Sequence, residues 1–436
     1  MNATLRRKPS VWDEADFLAD AAAGLNDDGQ YARAERLCLD ALDFVPEHWG
    51  ALANLATALH RQGRHTVAVA IYVRACRANP ANAAAFSNLG VALNEMQAME
   101  LSLQAHDEAL HLKPDDQKIR ANRAMALLMA GHLTEGFAEF ESRWSLESRG
   151  VVEGPRWRGE PLEGRRLLVW DEGGYGDTLQ FVRYMRLLLD AGIKPILRVQ
   201  APLLRLVRQS FPEIETLATH EDALPEFDLQ CPMIGLAHVL GTTLETVPGQ
   251  IPYLTADPLQ IAHWRERLEQ FGPGLRVGLV WAGAPRPGMS LVHAMDGRRS
   301  MRLAQFGPLF ELPGIAWCSL QLGGSEEIMR TGLPIRDMMA GMLDFADTAS
   351  LVAGLDLVIS VDTAVAHLAG GLGVPVLLLS RFDACWRWLA GREDTPWYEG
   401  MRVFRQQRAG NWDGPLTKVA EVLAGMTSHT PVIADL

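Results

Sequence analysis

In this 436-residue chain two aspartates, Asp362 and Asp177, stand at predicted turns where side-chain and backbone groups could bind a ligand together. Residues 357–361 before Asp362 are apolar on both faces, which is typical of a central parallel strand. Asp362 and Thr363 suit an N-cap and a first turn, and residues 364–369 suit a helix. The start of a helix offers free backbone N–H groups and the positive end of its dipole. The spacing therefore predicts an anion site at this turn, with an ordinary turn capped by Asp362 as the alternative.

The second carboxylate, Asp177, ends the glycine-rich run Asp171-Glu-Gly-Gly-Tyr-Gly-Asp177, directly after an apolar stretch that predicts a strand. Glycines let the backbone turn sharply and approach a ligand closely. A carboxylate in such a turn can accept the proton of a bound hydroxyl. The alternative is a structural cap, because Gln180 stands three residues on, as in a capping box. Asp347-Thr348 shows the same local pattern and is predicted to be only a cap.

The elements that must position these residues alternate between strand and helix. Such alternation predicts two doubly wound parallel α/β domains. The predicted strands lie at residues 167–170, 193–199, 276–281, 315–320, 355–361 and 375–379. The predicted domains span residues 166–256 and 276–436, joined by a helical connector at 257–275.

A repeat of 34 residues precedes this α/β region, since Pro46, Pro80 and Pro114 are each 34 positions apart. A period of 34 with Pro closing the second helix is typical of tetratricopeptide repeats. Gly29 and Gly63 are expected at the turns between paired helices, where the third repeat has Gln97 instead. The prediction is a leader at residues 1–14, a helical solenoid at 15–147 whose fourth unit is a cap, and a linker at 148–165.

Composition narrows the function classes. The net charge of −12 argues against a general nucleic-acid binder. The five cysteines are scattered and form no C-x-x-C pair, so neither a disulfide framework nor a zinc site is expected. No apolar run is long enough to span a bilayer, and the first residues lack the apolar stretch of a signal peptide. The expectation is a cytoplasmic protein with no transmembrane segment.

Several motifs together resemble the ADP-heptose–lipopolysaccharide heptosyltransferase superfamily. More closely, the chain is similar to bacterial proteins that fuse tetratricopeptide repeats to such a glycosyltransferase. The resemblance covers nearly the whole chain. Its motifs are the glycine-rich run ending at Asp177, Trp281-Ala-Gly, Arg298-Arg-Ser300, the Asp362 stretch, and the aromatic region from Trp386 to Gln406.

The resemblance implies a fold and a site. The fold would be an α-helical solenoid followed by a GT-B pair of Rossmann-like domains. Asp177 would be the general base that takes the acceptor proton. A nucleotide-sugar donor would be bound by Gly174, Gly176, Trp281, Arg298, Arg299, Ser300, Asp362, Thr363, Ala364, His367 and Arg387.

No cofactor and no metal are expected, because the chain contains no D-x-D motif to clamp a diphosphate. Arginines would then offset the charge of the leaving group, as the guanidinium binds phosphate through two parallel N–H bonds. For His367 the alternative is a buried histidine whose hydrogen bonds are satisfied. Five aromatic side chains could stack on the base or sugar of the donor, with a place in the core as the alternative: Trp281, Trp386, Trp388, Trp397 and Tyr398. Two departures weaken the match: Leu322 stands where relatives often carry Lys, and Ala284 where they often carry Asn.

A column of asparagines adds a possible acceptor site. Asn54, Asn88 and Asn122 are 34 residues apart, on the first helices of successive repeats. An amide can both donate to and accept from an extended peptide backbone. A more distant likeness to O-GlcNAc transferase, whose repeat groove grips polypeptide through asparagines, points to a protein acceptor. The alternative is that these side chains satisfy polar groups between helices.

The resulting hypothesis is an inverting, metal-independent glycosyltransferase whose repeats present an acceptor, most plausibly a protein. Inversion is implied by the resemblance alone. A second hypothesis replaces the protein acceptor by lipopolysaccharide or another glycan. A third keeps the fold without catalysis and uses the repeats as a scaffold.

Overall fold

The computed structural model describes residues 10–146, 151–220, 223–284 and 296–428. The chain divides into two compact units, Met1–Ser148 and Arg149–Leu436. The first nine residues of the predicted leader and the start of the predicted linker, residues 148–150, lie outside the described residues. None of the described helices is long and apolar enough to cross a membrane.

The first unit is a stack of helix pairs. Its helices are α1 Val11–Asp27, α2 Tyr31–Phe44, α3 Trp49–Arg61, α4 His65–Ala78, α5 Ala83–Glu95, α6 Met99–Leu112, α7 Gln117–Ala130 and α8 Leu133–Phe140, followed by the 3₁₀ turn Glu141–Ser145. Each pair packs against the next, which buries the apolar face that a single pair would expose. The predicted tetratricopeptide solenoid is confirmed.

The turns inside the pairs explain the third repeat's departure from glycine. Gly29, Gly63 and Gly131 have φ values of +74°, +79° and +89°. Gln97 stands at the matching place with φ +58°, a conformation that strains a residue with a side chain. In the third repeat the left-handed turn conformation is therefore imposed by the surrounding packing and not by a glycine.

The first helix starts earlier than the predicted leader allows. The Ser10 hydroxyl accepts a hydrogen bond from the Asp13 N–H at 3.2 Å, and the Asp13 carboxylate accepts from the Ser10 N–H at 2.6 Å. This reciprocal capping box fixes the start of α1 at Val11. The prediction that residues 11–14 belong to a loose leader was wrong.

The second unit begins with a four-stranded parallel sheet of order β3-β2-β1-β4. Its strands are β1 Leu167–Trp170, β2 Ile196–Val199, β3 Glu215–Ala218 and β4 Leu229–Pro232. The helices around it are α9 Tyr175–Phe181, α10 Tyr184–Asp190, α11 Leu204–Ser210 and α12 Gly235–Val239. After the glycine-rich turn the chain forms two short helices, α9 and α10, and not one long helix.

Helix α13, Pro258–Glu269, leads to a six-stranded parallel sheet of order β10-β9-β8-β5-β6-β7. The strands are β5 Leu275–Val280, β6 Ile315–Ser319, β7 Ile335–Asp337, β8 Leu357–Val361, β9 Val376–Ser380 and β10 Met401–Arg405. The helices are α14 Gly307–Phe310, α15 Ser325–Thr331, α16 Phe345–Val352, α17 Ala364–Gly371 and α18 Asp413–Ser428. Both predicted doubly wound domains are present, as a GT-B fold requires.

Each sheet has a point where the strand order reverses, between β1 and β4 in the first and between β5 and β8 in the second. Ligands of open α/β sheets bind at the carboxyl ends of the strands beside such a point. Asp171 follows β1, Trp281 follows β5 and Asp362 follows β8. The fold therefore brings the motifs of the sequence to the edges where a ligand is expected.

Buried polar contacts join the two α/β domains. The guanidinium of Arg183, which is 1% exposed, donates to the carbonyls of Trp397 and Pro248 at 2.7 and 3.1 Å and to the Tyr253 hydroxyl at 3.1 Å. The N–H groups of Tyr253 and Leu254 both donate to the Gly371 carbonyl, at 3.0 and 3.1 Å. The two sheets are thus held together by contacts that replace water around buried charge.

Candidate active site between the two sheets

The Asp177 carboxylate lies in the first turn of α9. Its Oδ2 accepts a hydrogen bond from the Gly174 N–H at 2.7 Å, so Gly174 is the N-cap and Asp177 is the third residue of the helix. The alternative interpretation of Asp177 as a structural cap is thus correct in part: Asp177 caps the helix start from its third position, and Gln180 is not its partner. A Cβ at Gly173, where φ is +77°, would lie only 2.3 Å from the Asp177 Oδ2. Glycine there is what allows the carboxylate to fold under the turn.

Arg387 reaches the same carboxylate from the second domain. Its Nη2 donates to the Asp177 Oδ1, and its Nη1 lies 3.2 Å from the Cys385 Sγ. Burial is the largest single effect and works against the charge of Arg387, yet the interactions with Asp177, Cys385 and Asp362 together outweigh it and raise the pKa of the guanidinium. Both side chains are largely enclosed, with 15% and 20% of their surface exposed. The candidate general base, Asp177, and a candidate phosphate-binding residue, Arg387, therefore form an ion pair with each other.

The turn from β8 into α17 is the predicted anion cradle. Its N-cap is Thr363, whose hydroxyl bonds the Ser360 hydroxyl at 3.0 Å and does not cap the helix. Asp362 is buried and precedes the cap, so the predicted capping role of Asp362 was wrong. Ala364 opens the helix, and a Cβ on Gly176 would lie 3.7 Å from its Cα. The glycine-rich turn of the first domain thus packs directly on the start of α17.

His367 lies one turn further along α17. Its Nδ1 bonds the Tyr398 hydroxyl at 2.9 Å, and its ring stacks on Trp388 at 5.0 Å between centroids. Burial lowers the pKa of His367 well below its usual value, and the charge of Arg387 lowers it further. The imidazole is therefore neutral at pH 7. Its other edge faces Gly176, where an added Cβ would lie 3.0 Å from the Cδ2.

Arg298 and Arg299 are each held by an acid. Arg298 donates from Nε to the Asp383 Oδ2 at 3.1 Å, while Arg299 pairs with Asp296 and donates to the Asp362 carbonyl at 2.8 Å. Both acids are buried: Asp296 is 4% exposed and Asp383 is 8% exposed. The sequence reasoning missed these partners, although Asp296 lies three residues before Arg299, a spacing at which helical side chains meet.

Ser300 and Trp281 have structural contacts. The Ser300 hydroxyl accepts from the Gly283 N–H at 3.0 Å. The Trp281 indole N–H donates to the Glu327 Oε2 at 2.7 Å, and the ring belongs to the core of the second sheet. The Trp281 ring is therefore a core side chain, and the backbone carbonyl of Trp281 accepts from the Met301 N–H at 2.7 Å. Gln321 bonds the N–H groups of Trp281 and Ala282, whereas the neighbouring Leu322 is 75% exposed.

The structure brings most of the predicted donor residues into one neighbourhood. Gly174, Gly176 and Asp177 meet Ala364, His367 and Arg387 across the two domains, and Arg299 joins through the carbonyl of Asp362. Sequence reasoning missed Tyr398 as the partner of His367. The tryptophans and the tyrosine of the aromatic region are core residues, as their alternative interpretation held: Trp386, Trp388, Trp397 and Tyr398.

The asparagine column lies in the first unit, and its members have different surroundings. The Asn54 amide donates to the Ala19 carbonyl at 2.8 Å, and the Asn122 amide donates to the Ser87 hydroxyl at 3.1 Å. Both are half-buried, whereas Asn88 is exposed. Asn54 and Asn122 therefore satisfy polar groups between helices, as the alternative interpretation held. Asn88 is the member of the column that is exposed to solvent.

Comparison with known proteins supplies the family. Residues 326–381, which run from α15 through the predicted anion cradle to the end of β9, match Glycosyltransferase family 9 (heptosyltransferase). The chain is 30% identical over 333 residues to Protein FlbA of Caulobacter vibrioides (strain ATCC 19089 / CIP 103742 / CB 15). That alignment covers 69% of this chain and 54% of FlbA, so the chain spans about half the length of this relative.

Solved structures resemble only part of the chain. MamA from Desulfovibrio magneticus RS-1 matches 31% of this chain and 78% of its own, with 23% identity and a TM-score of 0.28. A tetratricopeptide repeat protein from Parabacteroides merdae ATCC 43184 matches 32% and 55%, with 20% identity and a TM-score of 0.28. The repeat architecture rests on this chain's own helix pairs. The predicted resemblance is thus supported on both sides: helix pairs typical of tetratricopeptide repeats precede an α/β region in which residues 326–381 match Glycosyltransferase family 9 (heptosyltransferase).

Proposed function

We propose that this protein is a glycosyltransferase that moves a sugar from a nucleotide-sugar donor to a hydroxyl acceptor, with inversion and without a metal. The observation that carries the proposal is the meeting of Asp177 and Arg387 above the start of α17. A carboxylate for the acceptor proton and a guanidinium for the leaving diphosphate are the two charges that such a transfer needs. The family match of residues 326–381 supports the same chemistry.

The reaction is a single displacement. The acceptor oxygen attacks the anomeric carbon while the bond from that carbon to the diphosphate oxygen breaks. Asp177 takes the acceptor proton, and the diphosphate leaves with the electron pair of the broken bond. One displacement at one carbon inverts its configuration. The backbone N–H groups at Thr363 and Ala364 and the guanidinium of Arg387 bind the departing charge.

The donor has to compete for Arg387, because that guanidinium is paired with Asp177 in the structure. When Arg387 turns to the diphosphate, the Asp177 Oδ1 is released from its hydrogen bond and can accept the proton of the acceptor. Donor binding would in this way prepare the base. Neutral His367, fixed by Tyr398, contributes shape and a hydrogen-bonding edge, and no charge.

We propose a protein or peptide as the acceptor, presented by the first helices of the repeats. Asn88 supports this because it is exposed at the register shared with Asn54 and Asn122. A lipopolysaccharide or other glycan acceptor is the second candidate, since the matched family is named for heptosyl transfer. The buried ion pair of Asp177 weighs against a scaffold without catalysis. The cytoplasm remains the proposed location.

A thermal-shift screen against nucleotides and nucleotide sugars tests the donor, because a ligand that binds only the native state raises its melting temperature. The expected result is a shift with one nucleotide and a larger one with its sugar conjugate. The hit is then incubated with the protein alone, and release of free nucleoside diphosphate by hydrolysis is measured. No shift with any nucleotide sugar, or a shift without turnover in parent protein supplied with acceptors, would leave the scaffold hypothesis in place.

A further inference from the structure

Three potential metal ligands meet in the helical repeats, in the first unit. His60 lies in the last turn of α3, His65 is the first residue of α4, and Glu95 is the last residue of α5. Gly63, with φ +79°, makes the tight turn that folds His65 back beside His60. The group therefore joins the second repeat to the third through three different helices.

The distances suit one small cation. The His60 Nε2 lies 2.7 Å and the His65 Nδ1 lies 3.6 Å from the same oxygen, Glu95 Oε2. The three ligand atoms all lie within 4.8 Å of one another. A tetrahedral Zn²⁺ with bonds of about 2.0–2.1 Å keeps its ligand atoms about 3.4 Å apart. To reach that value the first distance would lengthen by about 0.7 Å and the second would shorten by about 0.2 Å, changes that side-chain rotation can supply.

Burial and charge also favour a cation. His60, His65 and Glu95 have side chains that are 7%, 11% and 23% exposed, so water screens the carboxylate only in part. The two imidazole rings are 5.5 Å apart with an interplanar angle of 70°, so both nitrogens can point at one spot. Two imidazoles and one carboxylate suit zinc and similar divalent transition metals, and disfavour Mg²⁺ and Ca²⁺, which prefer oxygen.

We propose that His60, His65 and Glu95 form a site for a divalent transition metal that links the second and third repeats. Three protein ligands leave a fourth position for water or for a group of a bound partner. The site is separate from the glycosyl-transfer chemistry, and the proposal does not depend on it. No zinc site was expected from the sequence because the chain has no C-x-x-C pair, whereas these ligands are a histidine pair five residues apart and a glutamate 30 residues further on.

The test is titration of the full chain, freed of metal by chelator and dialysis, with Zn²⁺ at pH 7.5 in a calorimeter. Co²⁺ provides a second probe, since its visible absorption reports four-coordinate geometry. The expected result is one equivalent whose affinity falls by roughly tenfold or more in Glu95→Gln and in His65→Gln, each of which removes one ligand. Zn²⁺ should also raise the melting temperature of the parent and not of either variant.

A matched control exists in the same unit. The His48 Nε2 lies 2.9 Å from the Asp16 Oδ1, so this pair has the same kind of contact, and no third ligand joins it among the described residues. Asp16→Asn should bind Zn²⁺ like the parent. No Zn²⁺ binding by the parent, or equal affinity in the parent and both ligand variants, would overturn the proposal and leave the group as an ion-pair network.

Discussion

Arg387 donates a hydrogen bond from its Nη2 to the Oδ1 of Asp177, although 210 residues of chain separate them. The second oxygen of the same carboxylate is bonded to the Gly174 N–H. The base candidate thus has one oxygen held by its own helix start and the other by the opposite domain. The reactivity of Asp177 depends on its contacts with Gly174 and with Arg387, and substitution of Asp177 tests its role.

Asp177→Asn should lower transfer by about 10²–10⁴-fold, the range for loss of a general base. The amide oxygen can still accept from Gly174, so the fold should hold. Donor affinity in the thermal-shift assay should hold or rise, because no carboxylate then competes with the donor for Arg387. Asp347→Asn is the matched control, because Asp347 also lies in a first helical turn and pairs with an arginine, Arg205. The control should keep full turnover. A near-parental rate in Asp177→Asn would remove Asp177 from the mechanism.

Chelators should leave the transfer rate unchanged. The charge of the diphosphate is offset by arginine and helix-start N–H groups in the proposed mechanism, so no divalent ion is needed. The assay should be run with EDTA on the parent and on Glu95→Gln, so that any effect through the repeats is seen separately. Loss of rate in both proteins, restored by Mg²⁺ or Mn²⁺, would contradict the metal-independent mechanism.

The asparagine column should split into two kinds of residue. Asn88→Ala should leave the melting temperature unchanged and lower transfer to a protein acceptor by roughly two- to tenfold, the value of one hydrogen bond. Asn54→Ala should instead destabilise the repeats by about 1–3 kcal/mol, because the buried Ala19 carbonyl loses its donor. Transfer rates and thermal melts on both variants are the measurements. An Asn88→Ala protein with parental transfer would show that peptide is not bound through this residue.

His106 should make the repeats sensitive to acid. Burial lowers the pKa of this histidine to about 4, and the charge of Arg123 adds to the effect. The unfolded chain takes up a proton near pH 6.5 and the folded chain does not, so stability falls as pH drops from about 6.5 to about 4. The full difference is about 3 kcal/mol.

Melting temperatures of the parent and His106→Gln, measured from pH 7.5 to pH 4.5, test this expectation. The variant should show a smaller loss toward acid, although glutamine fills the space beside Gly90 less well. His111→Gln, a change at an exposed histidine of the same helix, should behave like the parent. Parallel curves for all three proteins would assign the acid sensitivity to other groups.

Gln97→Gly should stabilise the third repeat by about 0.5–1 kcal/mol, because it removes the strain of a positive φ at a small cost in chain entropy. The reciprocal change, Gly63→Ala at φ +79°, should destabilise the second repeat by about 1 kcal/mol. Chemical denaturation of both variants compares the two. A destabilised Gln97→Gly would mean that contacts of the glutamine side chain outweigh the strain.

In the second sheet the central strands were predicted from sequence, whereas the edge strands β7 and β10 were not. β8 and β9 are buried on both faces and read as unbroken apolar runs. β10 is an edge strand in which Arg402 and Arg405 interrupt the pattern, and β7 has only three residues. Edge strands have a solvated side, so their sequences carry less of the signal that marks a strand.

The site followed the same division. Local patterns located Asp177 and the start of α17, because a glycine-rich turn and a strand–helix junction are written in adjacent residues. The pairs of Asp177 with Arg387 and of Arg298 with Asp383 depend on how separate elements pack, whereas Asp296 is three residues from Arg299 and was a local signal that was missed. The capping role given to Asp362 failed because a register shift of one residue at a helix start has almost no local signature.

The buried guanidinium of Arg183 sets an order for the synthesis of this protein. Translation releases Arg183 from the ribosome long before Trp397, whose carbonyl is one of its acceptors. Until then the guanidinium has the Pro248 carbonyl and the Tyr253 hydroxyl of its own domain, with water in place of the missing acceptor. The closing of the two α/β domains around Arg183, with loss of that water, is therefore a late step that waits until residue 397 has been made.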